Sequence, residues 1–155
     1  VEMFNKPILW SDGFQITADS LQFLIKKGEI SCVFLKPNPM IILKEDSLDY
    51  NQIKGKDMTA YFSNNLMSRI DVKGNGQSIF LIKDENTEDK IGLNYSECSD
   101  LILYFKEKKL KEVTYETKPI STTIPYQDIE EKNRYLKNFY WRGSEQPMSK
   151  EDIFN

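Results

Sequence analysis

The chain has no histidine among its 155 residues. That absence removes Ser-His-Asp and Cys-His catalysis, the common zinc ligand sets and the usual acid–base group near neutral pH. Its two cysteines, Cys32 and Cys98, are far apart, with no Cys-x-x-Cys spacing. They read as buried free thiols, with a disulfide between them left open. No apolar run is long enough to make a membrane-spanning helix. There is no basic excess either: 21 Lys and Arg stand against 24 Asp and Glu, a formal charge of −3, which argues against nucleic acid as a partner. A phosphate-cradling GxxxxGK[ST] motif is also missing, and Gly74-Asn75-Gly76 reads as a chain corner rather than a nucleotide loop. The opening, Val1-Glu2-Met3-Phe4, lacks an initiator Met and leads into the strand-like Pro7 to Trp10, so the chain reads as part of a longer protein. No signal sequence is expected within it.

What remains is a chain that can bury a core yet stay wet, with 39% hydrophobic and 29% charged residues. Aromatic residues at 12% favour strands. The main signal is a repeat. Segments starting at Ile16, Ile53 and Ser96 align without internal gaps, in units of about 16–43, 53–82 and 96–124. Apolar side chains recur in columns: Leu21/Met58/Leu101, Phe23/Ala60/Leu103, Ile25/Phe62/Phe105, Ile30/Met67/Leu110, Val33/Ile70/Val113 and Leu35/Val72/Tyr115. A turn-forming triplet also recurs: Pro37-Asn38-Pro39, Gly74-Asn75-Gly76 and Thr117-Lys118-Pro119. Within each unit the period is two, so each column set shares one face of a strand. Each unit therefore predicts a hairpin, a corner and a third strand. No unit can bury its apolar face alone, so the units must stack. The fold class is all-β, an elongated stack of hairpin repeats over residues 1–125. The competing arrangement is an ordinary β-sandwich.

Residues 126–155 change character. Asp128 to Lys137 could start a short helix, and Asn138 to Gly143 could form an edge strand. Ser149-Lys150-Glu151-Asp152 has the spacing of a helix start. The tail is expected to pack its aromatic cluster on the last repeat as a cap.

Ile16 to Leu21, Ile53 to Phe62 and Arg69 to Phe80 resemble the OstA/LptA family of lipopolysaccharide-transport proteins, most closely the OstA-like proteins of Bacteroidetes; the likeness covers about residues 8–125. The resemblance implies a β-taco, or open β-jelly-roll, in which two sheets fold over an apolar interior. It also implies a Gram-negative periplasmic setting, lipid A acyl chains of lipopolysaccharide as cargo, no catalysis and no cofactor.

An open two-sheet stack can hold acyl chains where a closed one holds core side chains. The expected groove lining is Leu21, Phe23, Met58, Phe62, Ile70, Val72, Leu101, Leu103, Phe105 and Val113. Met58 and Met67 suit a compliant wall. Lys26 and Lys27, with Lys106, Lys108 and Lys109, occupy turns that could form a basic rim for an anionic head group. The end strands of such a stack have unpaired backbone groups, so partners are expected by strand addition: other β-stack proteins of the export machinery, or copies of the chain head to tail, with Pro7 to Trp10 as one route. A structural or adhesive β-solenoid without lipid cargo is the alternative. Paired carboxylates could support glycoside hydrolysis, but most acidic residues fall in turns and loops.

Overall fold

The structure is a computed structural model describing residues 1–107 and 109–148. The possible helix start at Ser149 to Asp152 and the rim candidate Lys108 lie outside the described residues. Twelve antiparallel strands form one continuous hydrogen-bonded sheet: β1 Glu2–Phe4, β2 Ile8–Ser11, β3 Phe14–Thr17, β4 Ser20–Lys26, β5 Glu29–Lys36, β6 Met40–Lys44, β7 Tyr50–Lys54, β8 Asp57–Ser63, β9 Leu66–Lys83, β10 Lys90–Lys106, β11 Lys109–Tyr115 and β12 Ile120–Pro125.

The chain runs as a serpentine that folds this sheet in two. Each pass contributes one strand to each layer. Layer A is ordered β1-β4-β5-β8-β9-β10-β11, using the first half of β9 and the second half of β10. Layer B is ordered β2-β3-β6-β7-β9-β10-β12, using the other halves. The result is an open, curled half-barrel whose layers join along a spine of corners and part along a mouth of hairpin tips. The all-β taco expected from the sequence is the fold observed.

The corners explain the spine. Along it, Asp19 N–H donates to the Pro37 carbonyl, Lys56 N–H to that of Gly74 (both 2.9 Å), and Glu116 N–H to that of Asp100 (3.3 Å), so the ladder continues around the fold. Asp100 also accepts the Gly74 N–H at 2.9 Å. Gly76 is required there because a Cβ would collide with the Leu101 side chain, a member of the first apolar column. At the mouth, the turns at Asp12-Gly13, Lys27-Gly28 and Asn64-Asn65 have positive φ at both residues, the mirror-image turn that suits the twist of a hairpin.

Between the layers lies the main core. Every residue of the aligned columns belongs to it or packs against it except Ile25, which is half exposed at a hairpin end. The same one-residue register shift falls beside Ile25, Phe62 and Phe105, so Ile25 is exposed through its place at the end strands of layer A rather than through the bulge. Corners at Gly74 to Gly76 and Cys98 to Asp100 do not interrupt their strands; β9 and β10 run through them as long bent strands.

The tail departs from expectation. It does not cap the last repeat. After a short 3₁₀ turn at Tyr126–Asp128 and the four-residue helix α1, Glu131–Arg134, it crosses the outer face of layer B as a strap that reaches β2. Residues 138–142 form no strand: the Gln15 side chain takes the Tyr140 carbonyl and the Arg142 N–H, while the Phe139 N–H and the Arg142 carbonyl bond backbone groups of local turns. Met40, Ile42, Tyr50, Ile79 and Leu93 project outward from layer B and are covered by Leu136, Tyr135, Phe139 and Trp141, forming a second apolar core. Tyr135 stacks on Phe139 at 4.5 Å, and Trp141 meets Trp10 edge-on at 5.4 Å.

Candidate functional site

An open groove of about 530 Å³ lies at the mouth between the layers. Layer B supplies most of its apolar wall from the inward parity of its strands: Phe14 on β3, Ile41 and Leu43 on β6, Ile53 on β7, and Phe80 and Ile82 on β9. Layer A leans over it with Phe105 and Leu110. Phe14 and Phe105 meet edge-on at 5.5 Å and form its floor.

The expected lining is mostly elsewhere. Of the ten candidate residues, Phe105 alone lines this groove. Leu21, Met58, Ile70, Val72, Leu101 and Leu103 are fully buried in the interlayer core, and Phe23, Phe62 and Val113 pack against its edge. These side chains fill the space between the layers themselves. Met67 is likewise buried core.

The interior is also not apolar to its end. Ser96 and Ser78 are buried, and Asn94 donates to Ser121 Oγ (3.0 Å) and Thr123 Oγ1 (3.1 Å) across β10 and β12. Tyr115 of the opposite layer donates to Ser96 Oγ at 3.4 Å, which places this network inside. An apolar chain entering at the mouth therefore meets a polar wall at the last pass of layer B.

The rim differs from the expected one. Lys109 reaches the groove, whereas Lys26, Lys27 and Lys106 are exposed on the hairpin tips of layer A and do not line it. Glu45, Asp84, Glu85 and Glu88 form the lip on layer B, with Lys83 held at 3.0 Å by Glu45. The backbone N–H groups of Thr87 and Asn86 donate to Asp84 and hold its carboxyl below the usual range, so it remains ionised. The two lips thus carry opposite charge, basic on layer A and acidic on layer B.

On the outer side of layer B, the strap is fastened by three buried polar side chains that composition and spacing did not single out. Gln52, fully buried, donates from Nε2 to the Arg134 carbonyl and accepts the Leu136 N–H at Oε1, both at 2.8 Å. Gln15 does the same for the Tyr140 carbonyl (2.8 Å) and the Arg142 N–H (2.6 Å). Each amide acts as one rung of a β-ladder. The carboxylate of Asp49 accepts from Arg134 (2.6 Å), Lys90 (2.7 Å) and the Tyr126 hydroxyl (2.8 Å). Trp10 Nε1 is buried beside this seam without a hydrogen-bond partner. In the sequence both glutamines fall on the parity opposite the core residues Phe14, Ile16 and Ile53, so they read as ordinary outward-facing strand positions.

Cys32 and Cys98 are both free and buried. Burial pushes the Cys32 thiol up. Cys98 moves down: burial opposes ionisation, but its hydrogen bonding with Thr117 and with the backbone around Asp100 outweighs it. Among the described residues, no group of His, Cys, Asp or Glu is placed to hold a metal ion, and no helix is long and apolar enough to cross a membrane.

Comparison with family models, curated proteins and solved structures finds no match. The likeness to the OstA/LptA family rests on the residues quoted above.

Proposed function

We propose that this chain is a non-catalytic carrier of acyl-chain lipids in the cell envelope. Lipopolysaccharide is the cargo and the periplasm the compartment that its resemblance to the OstA/LptA family suggests. The observation that carries this reading is the mouth groove: about 530 Å³, walled by Phe14, Phe80, Phe105 and Leu110, and open to solvent. At about 30 Å³ per water-sized group, it accommodates one acyl chain. A dozen methylenes at about 0.8 kcal/mol each contribute about 10 kcal/mol before ordering costs. Seating further chains requires the layers to part at the mouth. The ends of the fold, β1 with β2 and β11 with β12, leave backbone groups that another β-stack protein can pair with, which supports a bridging role.

A second reading, a cargo-free envelope scaffold, is favoured by one observation: Leu21, Ile70 and Leu103 are fully excluded from solvent, so side chains fill the interlayer space over much of its length. Titration with a fluorescent fatty acid separates the two. The carrier reading expects saturable binding at one site per chain, weakened at least about tenfold by Leu110→Arg, which places a charge in the groove without emptying the deep core. An unresponsive probe with a correctly folded chain supports the scaffold.

A further inference from the structure

The charges around the groove address a question that its apolar walls leave open: which head group sits at the mouth. Accepting the acyl-chain carrier reading, but with a different cargo from lipopolysaccharide, we infer that the groove takes a single-chain lipid with a zwitterionic head group, its ammonium on the acidic lip of layer B and its anionic part at Lys109 on layer A. Three observations converge on this. Phe14, Ile41, Phe80, Phe105 and Leu110 give the cavity an apolar wall long enough for one chain, while charged residues and Asn51 border it, so its occupant must combine an apolar chain with a polar end. The lip on layer B carries Glu45, Asp84, Glu85 and Glu88; Glu45 is occupied by Lys83 and Asp84 accepts the Asn86 and Thr87 N–H groups, which leaves Glu85 and Glu88 as its exposed charges. Asp84, Glu85 and Glu88 lie on one turn, closed by the Asp84 N–H to Asp89 carbonyl bond at 2.8 Å, and face Lys109 across the opening.

A head group with only negative charge meets that acidic turn at close range, inside one screening length, and gains Lys109 in return, because Lys83 is paired with Glu45. A purely cationic head group satisfies the turn and opposes Lys109. Only a head group bearing both charges matches both lips. This assigns a role to the Asp84–Asp89 turn that joins β9 to β10.

The test is isothermal titration calorimetry of the whole chain with three single-chain amphiphiles of equal alkyl length, each below its micelle concentration: a lysophosphatidylethanolamine, a lysophosphatidylglycerol and an alkyltrimethylammonium salt. The zwitterion is expected to bind about tenfold more tightly than the anion and about threefold more tightly than the cation at low salt. Added salt narrows both gaps. Glu85→Lys/Glu88→Lys, on an exposed turn where folding is not at risk, should cut the advantage over the anion to about twofold or less, while Lys109→Glu should favour the cation. An anion that binds as well as the zwitterion, a cation that binds better, or an unchanged ranking in the Glu85→Lys/Glu88→Lys variant would overturn the head-group assignment and leave the carrier reading standing. Binding of none of the three would remove the carrier reading itself.

Discussion

Replacing Gln52 with leucine should release the strap while leaving the interlayer core intact. The side chain is fully buried, and its amide pairs with two strap backbone groups at 2.8 Å, the Arg134 carbonyl and the Leu136 N–H. Leucine has similar bulk but no polar atoms, so both groups lose their partner under an apolar cover. A buried unpaired polar group costs about 1–3 kcal/mol, so the two together cost about 2–4 kcal/mol once partial access to water is allowed. For a chain of this length, that lowers Tm by about 5–15 °C. Hydrogen exchange locates the effect: the Leu136 amide should lose protection well before Leu103 in the interlayer core. Gln22→Leu provides the control, because Gln22 is exposed on the outer face of layer A and should change Tm little. Equal stability of Gln52→Leu and wild type, with Leu136 still protected, would refute the idea that buried amides fasten the strap.

Leu103→Ala, at a fully excluded site between the layers, should cost about 2–5 kcal/mol in urea unfolding; less than about 1 kcal/mol would mean the columns do not form a close-packed core. The Asp100 carboxyl is held below its usual value first by the Gly74 N–H and then by Lys73, so its contribution is fully present above about pH 4 and lost as acid protonates it. The urea midpoint of Asp100→Asn should therefore fall less between pH 6 and pH 3 than that of wild type. Cys32 and Cys98 are buried, so a thiol reagent should label both only on unfolding; rapid labelling in native buffer would contradict their placement.

The interlayer half of the fold was legible because a strand's parity is fixed: Leu21, Met58 and Leu101 recur with the same neighbours, and the corner triplets mark where each pass changes layer. The groove was less legible. Its main wall comes from Phe14, Ile41 and Phe80, on strands of layer B that are short or continue through a corner, and the columns of layer A could not reveal them. Nor does alternation report depth, so Leu21 and Phe105 read alike although one is sealed and the other borders the opening. The strap was out of reach for another reason. Met40, Ile42 and Tyr50 are apolar on the face that a free-standing layer would expose, and only a segment some 90 residues later explains them. Gln15 and Gln52 look like ordinary polar strand residues until Tyr140, Arg142, Arg134 and Leu136 are set beside them.

The most direct test of a lipid-holding mouth is an NMR measurement of contacts between the methylenes of a bound 14-carbon lysolipid and the protein. Cross-peaks to Phe14, Phe80, Phe105 and Leu110, with none to Leu21 or Ile70, are predicted. Contacts confined to the outer face of layer A, or to the strap, would contradict it.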